Sequence, residues 1–152
     1  MNSTFLETGI PIPLSEWKDP QGDVILKYSC KECIIYFGCW IASGIPADYI
    51  CKLTFDNAWA VRGYRLEFIP YKIKENNYHS CILEIENSSW LKQVSEQRIK
   101  YYPNWQKWDK RNYRHFVIEG HDNYYDIIAV GYKEEIIPYS EAGELKRLID
   151  EA

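Results

Sequence analysis

Short apolar runs recur along most of the chain, and turn-forming residues separate them. The runs are rich in Val, Ile, Phe, Tyr and Trp, which favour strands, and Gly, Pro, Asn, Asp and Ser flank them. This pattern predicts seven strands, at residues 24–28, 33–40, 49–55, 64–69, 81–85, 113–119 and 124–130. Ahead of them, the two prolines within residues 9–13 favour an extended arm.

The clearest hairpin lies late in the chain. Two alternating runs, 113–119 and 124–130, flank the turn-forming residues 120–123, whose sequence is Gly-His-Asp-Asn. Antiparallel pairing across this turn places His115 opposite Ile128, on the sheet face that Val117 shares. His115 is therefore expected on a sheet surface.

Two windows repeat at helical spacing instead. The first predicts a helix over residues 89–100, because capping side chains precede it and Pro103 ends it. The second predicts an acidic C-terminal helix that opens after Pro138. Its apolar face consists of Leu145, Leu148 and Ile149.

Together these elements predict an α+β fold: one antiparallel, twisted sheet of six or seven strands, with one internal helix and one C-terminal helix. The 152 residues match one domain, so residues 1–152 are expected to form a single globular unit. The apolar share of 46% excludes a disordered chain, and the aromatic share of 16% agrees with a β-rich fold.

Cysteine usage and the N-terminal residues bear on location. Five cysteines cannot all pair within one chain, and an odd number is typical of a reducing compartment with buried thiols. Residues 1–14 carry no basic residue and no apolar run of signal-peptide length, and no stretch approaches a membrane span. We therefore expect a cytoplasmic protein with no membrane partner.

The net charge of −4 is distributed unevenly. Residues 98–118 hold six basic residues and one acidic residue, whereas residues 119–152 hold three basic and nine acidic residues. Such asymmetry indicates interaction surfaces, unless the two segments fold against each other and cancel.

Aromatic and basic residues alternate within the segment 98–114. A mixture of this kind suits a protein interface, where Trp, Tyr and Arg supply anchors, and it also suits single-stranded nucleic acid. The alternative is a loop whose aromatic side chains complete the core beneath a solvated basic rim. Of the two binding interpretations, the protein partner is favoured. The candidate binding residues here are Trp105, Lys107, Trp108, Lys110 and Arg111.

The late hairpin offers a second candidate site. The hairpin carries side chains that could bind a metal or transfer a proton, namely His115, Glu119, His121, Asp122 and Asp126, and the candidate site consists of His115, His121 and Asp122. Turn residues are chosen for conformation as well, and His115 fits a half-buried strand position. The pair Cys30 and Cys33 has zinc-like spacing, but no second pair completes four ligands in reach of one metal. No motif specifies a reaction or a cofactor.

The segments 85–91 (Ile-Glu-Asn-Ser-Ser-Trp-Leu) and 113–129 resemble small uncharacterised bacterial β-rich proteins with a similar helix start and late hairpin. In type, such proteins are similar to immunity proteins that neutralise bacterial toxins. The resemblance implies a non-enzymatic protein-binding module whose partner is a toxin domain, and it transfers no catalytic residue.

Two segments could form that contact, the aromatic-basic segment or the acidic C-terminal third. If the partner is a nuclease with a positive groove, carboxylates such as Glu134 and Glu135 would steer association, and His121 and Asp122 lie in the same acidic third. An uncharacterised enzyme or metal site on the hairpin and a nucleic-acid binder remain the alternatives.

Overall fold

The structure is a computed structural model that describes residues 6–74 and 80–151. Eleven strands are present in the described part of the chain. In chain order they are β1 (Glu7–Pro13), β2 (Trp17–Lys18), β3 (Ile25–Tyr28), β4 (Cys33–Ala42), β5 (Ile45–Asp56), β6 (Ala60–Tyr64), β7 (Tyr71–Ile73), β8 (Cys81–Ile85), β9 (Arg114–Glu119), β10 (Tyr124–Ala129) and β11 (Gly131–Pro138). The helices are α1 (Ser89–Tyr101), α2 (Trp105–Trp108), α3 (Tyr139–Ala142) and α4 (Glu144–Glu151).

The α+β class is confirmed, but the prediction of a single sheet is wrong. One sheet has the order β6-β10-β9-β8-β1-β7, and the other has the order β11-β5-β4-β2, with β3 also paired to β4. Every pairing is antiparallel except that between β1 and β7. The two sheets separate because β4 and β5 pair with each other and with β11, β2 and β3, all outside the first sheet.

The main core lies between the two sheets. Phe37 and Leu53 of one sheet and Ile82 and Phe116 of the other belong to one buried cluster, and burying such side chains contributes about 1.5–3 kcal/mol each. The outer faces carry smaller clusters. One lies beneath α3 and α4, and the other contains Val117.

The strand predictions need correction at several places, and the short strands β2 and β7 were not predicted. The chain pairs with β10 over Ala60–Tyr64 rather than running as a strand through residues 64–69. Strand β11 was not predicted, because Gly131 and the charged residues after it interrupt the apolar pattern. The expected arm is strand β1, whose prolines Pro11 and Pro13 lie beyond the three residues that pair with β7.

Helix α1 is confirmed at residues 89–101, whereas α2 was not predicted. The predicted C-terminal helix is divided at Gly143, whose φ of 53° is left-handed and ends α3. Ile149 and Leu145 pack on the sheet, but Leu148 is exposed, so the predicted apolar face is narrower than expected. The fold therefore contains four described helices instead of two.

All five cysteines are free thiols. Cys33, Cys39 and Cys51 are buried in the core, and burial raises the pKa of the Cys33 and Cys39 thiols to about 12. Cys30 is exposed, contrary to the expectation of buried thiols. Among the described helices, none has the length and apolar character needed to span a membrane.

Candidate functional site

Helix α1 contains no fully buried residue, and two side-chain clusters contact it, one near each end. At the N-terminal end lies a polar cluster around Asp126, and at the C-terminal end lies an aromatic cluster around Arg98. From the N-cap Ser88 to Arg98 the chain advances ten residues at about 1.5 Å each, so the two clusters are separated by about 15 Å along the helix axis.

The first cluster, here called the Asp126 network, is a buried chain of hydrogen bonds. Ser88 Oγ lies 2.6 Å from His115 Nδ1, and His115 Nε2 lies 2.7 Å from Asp126 Oδ1. The Tyr71 hydroxyl donates to the same carboxylate at 2.6 Å, and Arg62 Nε donates to Oδ2 at 2.8 Å. His115 and Asp126 are almost completely buried.

The balance of charges keeps Asp126 ionised. Burial alone raises the pKa of this carboxyl, but the hydrogen bonds from His115, Tyr71 and Arg62 outweigh burial and hold the pKa below its ordinary value. For Tyr71, burial and the neighbouring carboxylate raise the pKa of the phenol, which stays protonated as a donor. The network therefore holds one negative charge opposite the guanidinium of Arg62.

The imidazole of His115 is also fixed by aromatic rings. The rings of Trp90 and Tyr71 meet it edge-on, at centroid distances of 5.0 and 5.7 Å. Arg62 in turn lies 4.2 Å above the Trp90 ring. This packing allows the imidazole a single orientation.

The second cluster, here called the Arg98 cage, holds one guanidinium among three indole rings. The carbon Cζ of Arg98 lies 4.9, 4.4 and 4.9 Å from the ring centroids of Trp59, Trp105 and Trp108. Its Nη1 donates to Asp109 Oδ2 at 2.9 Å. Arginine stacks on aromatic faces more readily than lysine does, which explains this choice of cation.

Asp109 joins the cage to the strand that follows. Its side chain is buried, yet it accepts hydrogen bonds from the Tyr113 hydroxyl at 2.7 Å and from the Arg111 amide at 3.1 Å. Burial raises the pKa of this carboxyl, but the bonds from Tyr113, Arg111 and Arg98 lower it to about 2. Asp109 is thus a fixed anion at neutral pH.

Three exposed aromatic side chains lie at the C-terminal ends of α1 and α2. Tyr101 is 75% exposed, Tyr102 is 61% exposed and Trp108 is 62% exposed. The Tyr102 ring meets the Trp108 ring edge-on at 6.4 Å, so the two are held together. With the exposed neighbours Lys107 and Lys110, these residues form what we call the α1–α2 surface.

The predicted binding residues of the aromatic-basic segment thus have different roles. Trp108, Lys107 and Lys110 belong to the α1–α2 surface, whereas Trp105 is buried inside the cage. Arg111 is half exposed and pairs with Asp109 at 3.3 Å. The segment therefore combines a buried aromatic residue, Trp105, with exposed ones such as Trp108.

Three of the six cations of the segment are paired with two carboxylates of the fold. Arg98 and Arg111 both pair with Asp109, and Arg114 binds Glu84 through two nitrogens, one of them 2.9 Å from its oxygen. The remaining cations are lysines, at positions 100, 107 and 110.

The late hairpin is paired as predicted, with His115 opposite Ile128 and Val117 on the same outer face. It does not assemble the predicted histidine site. His115 is buried in the Asp126 network, whereas His121 and Asp122 lie exposed on the turn, 3.0 Å apart. The hydrogen bond that His121 donates to the Asp122 carboxylate raises the pKa of His121.

Nothing in the described part of the chain supports the alternative of a metal site. Within residues 6–74 and 80–151, no three His, Cys, Asp or Glu side chains converge in a way that could hold a metal ion.

The two predicted steering carboxylates are also distinguished by the structure. The carboxylate of Glu134 accepts hydrogen bonds from the backbone amides of Ser15 and Glu16 at 3.0–3.2 Å, so it fastens the segment after β1 to β11. Glu135 is exposed and lies 3.4 Å from Lys133. Only Glu135 is available to a partner.

Several residues of both clusters were not predicted. Trp59, Arg62 and Tyr71 reach them from distant parts of the chain, and no local pattern marks them. Asp126 was one of the hairpin residues predicted as a candidate, and its pairing with Val117 places it diagonally from His115 on one face. Ser88 was visible only as a capping side chain.

Comparisons with protein-family models, with curated proteins and with solved structures found no match.

Proposed function

We propose that this protein is a protein-binding module of the immunity type, and that the α1–α2 surface makes the contact with its partner, a bacterial toxin domain. The observation that carries the proposal is the exposure of Trp108, Tyr101 and Tyr102 on a scaffold that fixes the indole. Trp and Tyr are the residues that most often dominate binding energy at interfaces, and rigid anchors lose little entropy on binding.

The charge around these rings favours a protein over single-stranded nucleic acid. A nucleic-acid groove needs cations that follow the phosphates, and their number sets the affinity. Here three of the six cations of the segment are already paired with carboxylates of the protein. The two lysines that flank Trp108 fit the rim of an interface with an acidic partner surface.

The partner class rests on the resemblance to immunity proteins, together with the small size and acidic, β-rich character of the chain. Because the lysines flank the aromatic rings, the α1–α2 surface fits an acidic region of a toxin rather than a positive nucleic-acid groove. Glu135 and the hairpin turn with His121 and Asp122 remain exposed elsewhere, as the alternative contact.

The test is affinity capture with the tagged protein and two matched variants, followed by quantitative mass spectrometry. Trp108→Ala removes the central anchor, and Phe68→Ala removes an exposed ring of similar exposure, 59%, outside the surface. We expect one protein that wild type and Phe68→Ala retain and Trp108→Ala loses. With that partner purified, Trp108→Ala should weaken affinity by about 2 kcal/mol, roughly 30-fold.

The toxin assignment has its own test. The captured protein, expressed alone, should arrest growth, and coexpression of wild type but not of Trp108→Ala should restore it. Reversing Lys107 and Lys110 to Glu should slow association, and added salt should shrink that difference.

Other outcomes would contradict the proposal. Equal capture by wild type and Trp108→Ala would exclude the α1–α2 surface, and a larger effect of Glu135→Lys would assign the contact to the acidic third. Capture of nucleic acid with a steep salt dependence would support the nucleic-acid alternative.

A further inference from the structure

The Asp126 network leads to the surface. Ser88 and His115, although nearly buried, line a groove with a volume of about 440 Å³ beside the first turns of α1. We propose that this groove is an acyl-transfer site in which Ser88 is the nucleophile, His115 is its general base and Asp126 positions the imidazole. The substrate class is a short-chain ester, which is hydrolysed by water.

Proton positions in the network follow from the ionised carboxylate. Asp126 can only accept, so His115 Nε2 carries a proton that it donates to Asp126 Oδ1 across 2.7 Å. In the neutral imidazole, Nδ1 is then an acceptor, and it receives the hydroxyl proton of Ser88 across 2.6 Å. The chain of Ser, His and Asp therefore has the order that activates a serine nucleophile, with the two ring nitrogens exchanged relative to the usual arrangement.

The position of Ser88 supplies a second activating influence. Ser88 is the N-cap of α1, and its Oγ accepts a hydrogen bond from the Leu91 amide at 3.0 Å. The bond leaves the hydroxyl proton free for His115. Positive partial charge at the N-terminus of this 13-residue helix favours negative charge on an attacked ester carbonyl, and the Glu7 carboxylate, which accepts from the Ser89 amide at 2.7 Å, offsets part of it.

The residues that line the groove limit the size of the substrate. The paired side chains of Arg114 and Glu84 line it, and so do Leu91 and Lys92. A small acyl group can lie against Leu91, whereas the charged pair restricts bulk. This composition agrees with a short ester rather than with a long lipid chain.

The proposed reaction balances without an added oxidant, reductant or metal. Ser88 Oγ forms a bond to the ester carbonyl carbon while its proton moves to His115 Nδ1. The carbon–oxygen bond to the leaving alcohol then breaks, and that alcohol takes the proton. Water attacks the acyl-serine in the same way, which releases the carboxylic acid and restores Ser88.

The decisive experiment is covalent labelling of the folded wild-type protein with a small fluorophosphonate. Ser88 Oγ should form a bond to phosphorus as fluoride leaves, and mass spectrometry of the digested protein should place the adduct on Ser88. Protein unfolded in urea should not be labelled there. The matched control is Ser89→Ala, because Ser89 is adjacent but hydrogen-bonded to Glu7 instead.

Variants extend the test. Ser88→Ala should abolish labelling, Ser89→Ala should leave it unchanged, and His115→Asn should slow it by about 100-fold or more, the usual contribution of a general base. Hydrolysis of p-nitrophenyl acetate should follow the same order. Circular dichroism of each variant separates loss of chemistry from loss of folding.

An absent adduct on native wild type, or an adduct on Ser89 or on a tyrosine, would overturn the proposal, and neither result depends on the folding of a variant. The partner capture described above uses another surface and other variants. Failure of either proposal is therefore distinguishable from failure of the other.

Discussion

The Asp126 network and the Arg98 cage contain the same types of residue but end in different surroundings. Each holds an arginine on tryptophan, binds that arginine to a buried aspartate, and adds a tyrosine hydroxyl to the same carboxylate. The network continues inward, through His115 to Ser88. The cage continues outward, to the exposed ring of Trp108.

This difference shows how one structural unit can serve two purposes. A buried carboxylate fixes the arginine, and the arginine fixes an aromatic ring, so each cluster is a rigid support for an end of α1. The two clusters differ in the side chain that is joined to the arginine and aspartate next. In the network that residue is a polar imidazole, and in the cage it is an indole that faces solvent.

The largest expected effect is the loss of stability when the Asp126 network loses its carboxylate. Replacing Asp126 with Ala removes the acceptor of two buried donors, from His115 and Tyr71, and of the partly exposed Arg62, and should lower the free energy of unfolding by about 3–5 kcal/mol. Urea denaturation measures it. Asp48→Ala, an exposed aspartate, should change stability by less than about 0.5 kcal/mol.

Replacing Asp109 with Ala should have a smaller effect, about 2–3 kcal/mol, because the donors that lose their acceptor are nearer to water. Arg111 is half exposed and can be hydrated, whereas His115 cannot. Urea denaturation of both variants under one condition gives the ranking. If Asp109→Ala were the more destabilising of the two, the cage rather than the network would be the main support of α1.

The stability of the protein at low pH should test the role assigned to Asp109. The pKa of Asp109 is about 2 in the folded protein, below the ordinary 3.8, so its ionised form stabilises the fold. That contribution is complete above about pH 4 and is lost as the pH falls through about 2. Urea midpoints between pH 5 and pH 2 should therefore fall more steeply for wild type than for Asp109→Ala, while parallel curves would contradict the assigned role.

How far the sequence predicts these regions depends on the range of the contacts. The hairpin register and the outward face of His115 were predictable, because both follow from a two-residue period and a short turn. Helix α1 was predictable from its cap and from Pro103. These are local features, and register, face and helix are confirmed, whereas the expected half-burial of His115 is wrong, because the imidazole is fully buried beneath Trp90 and Tyr71.

The number of sheets was not predictable in the same way. A strand pattern states which face is apolar but not which distant strand pairs with it, so the separation of β4 and β5 from the first sheet had no signal. The members of both clusters were unpredictable for the same reason. Trp59 and Arg62 lie more than 30 residues from Arg98 and Asp126, and only the fold brings each pair together.

The charge counts located the charged segments of the chain but did not show which of their charges are paired. The basic segment was correctly located as a distinctive region, and an aromatic loop over the core was one of the stated alternatives. Sequence could not show that Asp109, its single acidic residue, would bind two of its six cations. Nor could it show that Glu134 would bind backbone amides while Glu135 stayed exposed.

The smallest expected change in stability concerns Trp108, and it tests whether the cage and its outer surface are separable. The indole is 62% exposed and contributes mainly a cation–π contact to Arg98, so Trp108→Ala should reduce stability by less than about 1 kcal/mol. Trp105, stacked on the same guanidinium but buried, should cost about 3–5 kcal/mol when replaced by Ala. Thermal and urea unfolding measure both. If Trp108→Ala lowered the free energy of unfolding as much as Trp105→Ala does, the exposed ring would support the fold. The exposure of Trp108 would then no longer indicate a binding role for the α1–α2 surface.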